Sequence, residues 1–284
     1  MHKDATRGRT EVSDHDQLLV VIDPVARRLD GESVRIVKDV LCAAAEAKIC
    51  LPAGNEEFAR AIARRGSRRL VVVGDDRALL RAVGLMYRDH RQNGPGERAL
   101  SLVPVGAVQA VELARSLGVP TGAVAAARTV LDGVVRRLDL LVDDSGGVVV
   151  GDLRIPAIPG TVGAASAAAP PSVWSACRSL VRTLVRPAPP GAPVPTQRLR
   201  VEADGVMLTD LDRPVAGVSL RSHDGRAEVV VRTAEGDRLT ADAVTVTVSG
   251  ADFRYRADTV VGGPVRTRTW TVRPGAWGLM LPPS

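Results

Sequence analysis

Aromatic residues are scarce in this sequence. Phenylalanine, tryptophan and tyrosine together make up 2% of its 284 residues. Proteins that bind single-stranded nucleic acid stack successive bases on aromatic side chains. The composition therefore disfavours that function, and we expect no nucleic-acid partner.

Cysteines are also few, and long apolar segments are missing. Cys42, Cys50 and Cys177 are odd in number and lack the spacing of a zinc site, so we expect free thiols. No apolar run approaches the roughly 18 residues of a membrane-spanning helix. Residues 1–17 are polar and do not contain the apolar region of a secretory signal. The sequence thus predicts a cytoplasmic protein.

Positive charge, in contrast, is plentiful. The chain has 38 lysine and arginine residues against 32 aspartate and glutamate residues, which gives a formal net charge of +6. Such an excess favours anionic partners, such as phosphate groups or an acidic membrane surface. With 284 residues, 45% of them hydrophobic, the chain is long enough to bury the cores of about one to two domains.

The first half of the chain alternates short apolar runs with segments of helical periodicity. We predict strands at residues 17–23, 48–51, 69–74 and 100–105, and helices at residues 32–47, 56–65, 77–90, 108–117 and 121–131. This alternation indicates an α/β domain with a mostly parallel sheet over residues 17–135, after a flexible N-terminus at residues 1–16. In such sheets ligands bind beyond the carboxyl ends of the strands.

The second half changes to closely spaced strand patterns. Turn pairs such as Asp204-Gly205 and Asp224-Gly225 separate these strands, which indicates an all-β, sandwich-like domain over residues 136–284. Exposed edge strands in such a domain would allow a homodimer.

A stretch rich in proline, alanine and glycine, residues 156–197, is inserted in the second domain. Within it, residues 172–186 carry apolar side chains every three or four positions with arginines between them, which predicts a helix. Two interpretations stay open. The helix either packs on its own domain or lies on an acidic membrane surface as a peripheral contact.

Three turn motifs occur in the order typical of one enzyme family. Val21-Ile22-Asp23-Pro24 stands where that family has an Asn-Pro turn, and Val73-Gly74-Asp75-Asp76-Arg77 stands where it has Gly-Gly-Asp-Gly-Thr. Pro104-Val105-Gly106-Ala107, followed by LARSLGVP at residues 113–120, is similar to a third motif. From about residue 18 to residue 282 the sequence thus resembles the diacylglycerol kinase catalytic family, which includes bacterial lipid kinases and sphingosine kinases. The resemblance implies a NAD kinase/diacylglycerol kinase-like fold, with the active site between an α/β domain and a β-sandwich domain.

The resemblance also implies an activity, the ATP- and Mg²⁺-dependent transfer of a phosphoryl group to a lipid hydroxyl. The residues that match nucleotide-binding positions of the family are Asp23, Pro24, Gly74, Asp75, Asp76, Arg77 and Gly106. Asp75 is also the implied metal ligand. Asp258 stands where the family has its catalytic base, at the expected spacing before the closing strand pair.

The chemical motif departs from the family pattern at several positions. Val73 and Asp76 replace glycines that let the backbone approach the nucleotide phosphates, and Leu79 and Leu80 replace polar residues. We therefore predict a degenerate lipid kinase-like protein whose activity is weak or lost. The alternative is a non-catalytic protein that binds a nucleotide or an acidic lipid.

Each candidate site residue also has a structural interpretation. Asp75 or Asp76 can cap the following helix, and Asp23-Pro24 can form a plain turn. Gly106 either presents helix amides to an anion or allows close packing. Asp258 is either a general base or a solvated carboxylate in a β-turn. The sequence leaves both interpretations open at each position.

Overall fold

The computed structural model describes residues 17–93, 99–157 and 196–283. The N-terminus at residues 1–16, the predicted helix at residues 172–186 and Cys177 lie outside the described residues, as does most of the predicted insertion at residues 156–197. Within the described ranges, no helix is both long and apolar enough to cross a lipid bilayer.

Helices belong to the N-terminal half of the described chain, and strands occur throughout. The helices are α1 (Pro24–Leu29), α2 (Gly31–Ala44), α3 (Asn55–Ala63), α4 (Asp76–Asn93), α5 (Glu112–Ser116) and α6 (Ala123–Asp132). The strands are β1 (Gln17–Ile22), β2 (Glu46–Cys50), β3 (Arg69–Gly74), β4 (Ala99–Pro104), β5 (Val134–Asp143), β6 (Val148–Val149), β7 (Asp152–Ile155), β8 (Leu199–Ala203), β9 (Val206–Thr209), β10 (Val215–His223), β11 (Arg226–Thr233), β12 (Arg238–Ala243), β13 (Thr245–Ala257) and β14 (Val260–Leu281).

A parallel sheet forms the centre of the N-terminal half. β1 lies between β2 and β3, and β3 pairs with β4, all in parallel register. Helices pack on both faces, so β1 is buried on both sides from Leu18 to Ile22. This double burial explains why the strands are continuous apolar runs rather than alternating patterns. The predicted combination of helices with a parallel sheet is confirmed here.

Two helices differ from the prediction. α1 has no counterpart among the predicted helices. Asp23 caps it by accepting the N–H of Val25, and Pro24 takes the first helical position, where its missing N–H does no harm. The predicted helix at residues 108–117 is divided into a short 3-10 helix (Val108–Ala110) and α5, with Val111 between them at a φ of −122°. Because the helix is divided here, the N–H groups of Leu113 and Ala114 at the start of α5 donate to the carboxylate of Asp76 in α4.

The C-terminal strands extend the same sheet. β14 spans 22 residues, and it pairs with β13 through its first part and with β5 and β4 through its last part. The strand order is β12-β11-β10-β7-β13-β14-β4-β3-β1-β2, with β5 on β14 and β8 on β13. The strand-rich C-terminal region is confirmed. Backbone hydrogen bonds connect its strands and those of the parallel sheet into one mixed sheet.

The strands of the C-terminal region share one core. Its members include Val201, Leu220, Val229, Phe253 and Trp270, from strands that are distant in the sheet order. The sheet must therefore curve around this core. The predicted turns at Asp204-Gly205 and Asp224-Gly225 are confirmed, because all four residues have a positive φ and connect neighbouring antiparallel strands.

Candidate functional site

The carboxyl ends of β1, β3 and β4 meet at one edge of the parallel sheet. The N–H of Asp23 donates to the carbonyl of Val73 (2.9 Å), and the N–H of Val105 donates to the carbonyl of Gly74 (2.9 Å). Five of the candidate nucleotide-binding residues are thereby brought to this edge: Asp23, Pro24, Gly74, Asp75 and Gly106.

Gly74 allows a close approach between a strand and a helix. A Cβ at this position would lie 2.7 Å from the Cβ of Ala78 and 3.0 Å from the Cβ of Asp23. Any other residue would therefore push α4 and the end of β1 away from β3. Packing alone is enough to explain this glycine, as in the structural interpretation of the turn.

Asp23 is buried, with 4% of its surface exposed, and both of its carboxylate oxygens have partners. Its Oδ1 accepts the N–H of Val25 (2.7 Å), and its Oδ2 accepts Nη1 of Arg81 (3.0 Å). The guanidinium of Arg81 also lies over the ring of Phe58, 5.2 Å from the centroid. The carboxylate therefore connects the end of β1 to α1 and to α4.

Asp75 and Asp76 bind different partners. Asp75 caps α4, because its Oδ1 accepts the N–H of Ala78 (3.0 Å). Asp76 is only 1% exposed, and its oxygens accept the N–H groups of Leu113 (2.8 Å) and Ala114 (2.9 Å) at the start of α5. Asp76 thus fastens α5 to α4.

The surroundings of Asp76 alter its proton affinity. Burial raises the pKa of Asp76, and the negative charges of Asp75 and Glu112 act in the same direction. The two amide hydrogen bonds oppose this rise in pKa, because they favour the ionised carboxylate.

Arg77 borders a different pocket from the other candidate residues. It lines a pocket of about 430 Å³ together with Leu80, Arg81, Tyr255 and Val260, between α4 and the turn that joins β13 to β14. Leu80, which departs from the family pattern, and Val260 give this pocket apolar surface. The structure therefore separates Arg77 from the cleft that Asp76 lines.

Asp258 lies in the turn between β13 and β14 and is buried, with 8% of its surface exposed. Its carboxylate accepts the N–H groups of Val150 (2.8 Å), Gly151 (2.7 Å) and Asp152 (3.1 Å). Burial raises the pKa of Asp258 to about 6, while the three hydrogen bonds act to lower it. Asp258 is thus a buried carboxylate that holds the loop between β6 and β7.

Gly151 is the point at which α5 touches this loop. A Cβ at Gly151 would lie 2.7 Å from Cδ1 of Leu113 and 2.9 Å from Oδ1 of Asp258. Asp76 holds the start of α5, the side chain of Leu113 packs on Gly151, and the N–H of Gly151 donates to Asp258. A short chain of contacts therefore connects the carboxylates of Asp76 and Asp258.

A cleft of about 1130 Å³ lies between α5 and the C-terminal strands. Asp76 and Glu112 border it on one side, and Asp258 and Thr259 border it at the β13–β14 turn. Five arginines of the C-terminal strands, termed the arginine wall below, line much of the rest: Arg154, Arg221, Arg232, Arg238 and Arg256. None of these five arginines is among the site residues predicted from the sequence. Their signal is an alternation with apolar residues inside separate strands, and their proximity depends on strand register.

A metal centre has little support in the geometry. Across residues 17–93, 99–157 and 196–283, no group of three or more histidine, cysteine, aspartate or glutamate side chains is arranged to hold a metal ion. The metal role of Asp75 and the roles of the other candidate residues in binding and catalysis stay predictions. Cys42 and Cys50 are free thiols, as expected.

No protein-family model matches this sequence, and no curated protein matches it either. Similarity is found among solved structures, including three from Bacillus anthracis str. Sterne. Two structures described as a candidate diacylglycerol kinase each give a TM-score of 0.70 at 14% identity; they cover 94% and 95% of this chain, and 97% and 98% of their own chains. A structure described as a diacylglycerol kinase gives a TM-score of 0.67 at 13% identity, covering 94% of this chain and 97% of that chain. At this identity the similarity shows the fold, which is that of diacylglycerol kinase structures.

Proposed function

We propose that this is a lipid kinase-like protein whose phosphoryl-transfer activity is weak or lost, and that its cleft keeps a ligand-binding role. The observation that carries the proposal concerns four candidate carboxylates: Asp23, Asp75, Asp76 and Asp258. Each of them accepts at least one hydrogen bond from a backbone N–H group. Carboxylates used in this way hold turns and helix ends, and fewer of their lone pairs are available to a metal ion or a substrate proton.

The residues around Asp75 do not fit a resident Mg²⁺. This ion requires a nearly octahedral set of oxygen ligands. Asp23 uses its oxygens on Val25 and Arg81, and Asp76 uses both of its oxygens on α5. Asp75 would be the one carboxylate left at this edge, with one oxygen already on α4. The proposed function therefore includes no step through a metal ion held by these residues.

ATP binding is the part of the family activity that this edge preserves best. Gly74 and Gly106 match the glycines at which, in the family that the sequence resembles, the backbone approaches the phosphates. Here Ala78 and Asp23 fill the space beside Gly74, so an approaching phosphate would have to use the backbone at Gly106. Asp76 is turned toward α5, so repulsion of the phosphates falls mainly on Asp75. Two charges ~4 Å apart repel by about 4 kcal/mol at an effective dielectric constant of ~20. We therefore propose weak binding of ATP, if a cation accompanies it.

The direct test measures transfer of labelled phosphate from Mg²⁺–ATP to diacylglycerol, sphingosine and a lysophospholipid in mixed micelles. We expect no transfer above that of the matched variant Asp258→Asn. A robust wild-type rate that Asp75→Ala or Asp258→Asn abolishes would overturn the proposal. Thermal unfolding with and without Mg²⁺–ATP measures nucleotide binding separately, because a ligand that binds the folded state raises the melting temperature.

A retained lipid kinase activity with Asp258 as the general base is the second candidate function. One observation favours it: Asp258 borders the cleft, and burial raises the pKa of Asp258 to about 6, close to the pH at which a general base is most effective. In that case kcat/KM would rise with pH through about 6 as Asp258 ionises. A rate that is constant over this pH range would exclude Asp258 as the base.

A further inference from the structure

The arginine wall lies on one face of the C-terminal strands. The register places Arg154 opposite Ser219 and Arg256, and it places Arg232 opposite Arg238. Arg221 lies two residues after Ser219 and therefore shares its face. The other face of the same strands is buried and contributes to the core, with Leu153, Leu220, Val229 and Val231. The five guanidinium groups thus project from the outer face, into the cleft that they line.

Two cross-strand pairs on the wall join like charges. Arg154 stands opposite Arg256, and Arg232 stands opposite Arg238. Directly opposed side chains in antiparallel strands have Cβ atoms about 4.5–5.5 Å apart, and like charges at this spacing destabilise the sheet. In each pair one arginine, Arg154 or Arg238, is beside a carboxylate that offsets part of this repulsion, and the other is not. An anion bound between the guanidinium groups would remove the repulsion.

Carboxylates balance only part of the wall. Arg154 forms an ion pair with Asp152, and Arg238 lies 3.8 Å from Glu228. Among the residues that the structure describes, Arg221, Arg232 and Arg256 have no ion-pair partner. Glu112 and Asp76 border the cleft from the side of α5 and would repel an anion. Asp258 borders the cleft as well, so five carboxylates line it beside the five arginines, and the unpaired positive charge is concentrated on the strands at Arg221, Arg232 and Arg256.

We propose that the arginine wall binds a phosphate group with more than one negative charge, carried either by a lipid headgroup or by a free organic phosphate. Guanidinium groups bind phosphate oxygens through paired hydrogen bonds, and three unpaired arginines suit a multiply charged group. Val230 lies between the arginines on the same face and borders the cleft, although only 7% of its surface is exposed. The inference rests on the proposed function, because the ligand occupies the same cleft.

The test uses two kinds of probe in the absence of ATP. Pyrophosphate, titrated by calorimetry, represents a free phosphate. Phosphatidylcholine vesicles with phosphatidic acid represent the lipid source, and vesicles with phosphatidylglycerol at equal surface charge are the reference. Binding of pyrophosphate or a preference for phosphatidic acid supports the inference and identifies the source. Equal binding to both vesicles without pyrophosphate binding, or binding to no probe at millimolar concentration, would overturn it.

The double variant Arg232→Gln/Arg256→Gln removes one cation from each like-charged pair. We expect at least about a tenfold loss of affinity for the probe that binds, because charge-assisted hydrogen bonds are lost. The melting temperature without ligand should be unchanged or higher, because the repulsion within the sheet is relieved. A loss of affinity without a loss of stability separates ligand binding from a purely structural role.

The matched control is Arg266→Gln/Arg273→Gln, which removes the same charge from exposed positions of β14 outside the cleft. It should bind like the wild-type protein, and equal affinities of the two double variants would refute the inference. Arg221→Gln removes a cation from the wall without altering either like-charged pair. If Arg232→Gln/Arg256→Gln does not fold, Arg221→Gln takes its place, and we expect the same loss of affinity. Detection of lipid phosphorylation would refute the proposed function alone, because binding is measured without ATP.

Discussion

Asp76 shows how a single side chain can change the role of a loop. Beside nucleotide phosphates its charge would be unfavourable. The carboxylate instead binds the amides of Leu113 and Ala114, 37 and 38 positions along the chain. α5 has five residues and is too short to be stable by itself. The residue that departs most clearly from the family motif therefore stabilises a helix at the border of the cleft.

Asp258 leads to a prediction about stability and pH. Its pKa is about 6 in the folded protein against an ordinary value of 3.8. Because the folded state holds the proton more tightly, the contribution of Asp258 to the free energy of unfolding increases as the pH falls through this range, by ~3 kcal/mol. Asp258→Asn does not titrate. We expect the stability of the wild-type protein relative to Asp258→Asn to rise by this amount between about pH 7 and pH 3, measured by urea denaturation.

Asp204 provides the control of opposite sign. Hydrogen bonds from the N–H groups of Thr245 and Val244 lower its pKa, so the stability it contributes is lost as the pH falls. Wild-type stability relative to Asp204→Asn should therefore decrease on acidification. A pH-independent difference for Asp258→Asn would mean that Asp258 ionises in the folded protein as readily as in the unfolded chain.

At the scale of elements, the contact of α5 with the β6–β7 loop depends on Gly151. We expect Gly151→Ala to lower the free energy of unfolding by about 1–3 kcal/mol, because the new methyl group overlaps Leu113 and Asp258. Leu113→Ala removes one of these overlaps, so the double variant should lose less than the sum of the two single variants. Chemical denaturation of the four proteins in this cycle measures the coupling.

Gly84 is the matched control for Gly151. It lies in α4, where a Cβ would meet its nearest neighbour, Cγ2 of Val148, at an ordinary 3.5 Å. Gly84→Ala should therefore be neutral or stabilising, since alanine favours a helix by about 1 kcal/mol over glycine. Additive effects of Gly151→Ala and Leu113→Ala would show that the two residues do not press against each other.

The elements also show which features a sequence pattern can predict. The strands of the parallel sheet are buried on both faces, so their apolar runs identify them and also place the edge where Asp23, Gly74 and Gly106 meet. α1 has only six residues, too few for a periodic signal, and its start resembles a plain turn. The arginine wall could not be predicted, because it requires the register of β7 against β10 and β13, strands that are distant in sequence.

At the scale of the whole molecule, β14 joins the two halves. Its last residues pair with β4, at Gly278 with Ala99 and at Leu279 with Leu100. Leu279 and Trp277 belong to the core under the parallel sheet, whereas Trp270 belongs to the core of the C-terminal strands. One strand therefore contributes to both cores. The division into domains at residues 17–135 and 136–284 stays a prediction.

This arrangement predicts that the protein unfolds in a single transition. Without β14, β4 would lose a strand neighbour and the core around α4 would lose its cover, so residues 17–135 should not fold alone. We expect the calorimetric and van't Hoff enthalpies of the whole chain to agree.

Two double variants place a single fluorescent tryptophan in each core. Trp174→Phe/Trp270→Phe keeps Trp277 in the core under the parallel sheet, and Trp174→Phe/Trp277→Phe keeps Trp270 in the core of the C-terminal strands. Their unfolding curves should each coincide with the loss of far-ultraviolet circular dichroism in the same variant. A fluorescence change that is complete while much of the circular dichroism remains would show that the two halves are stable independently, and that β14 connects them without coupling them.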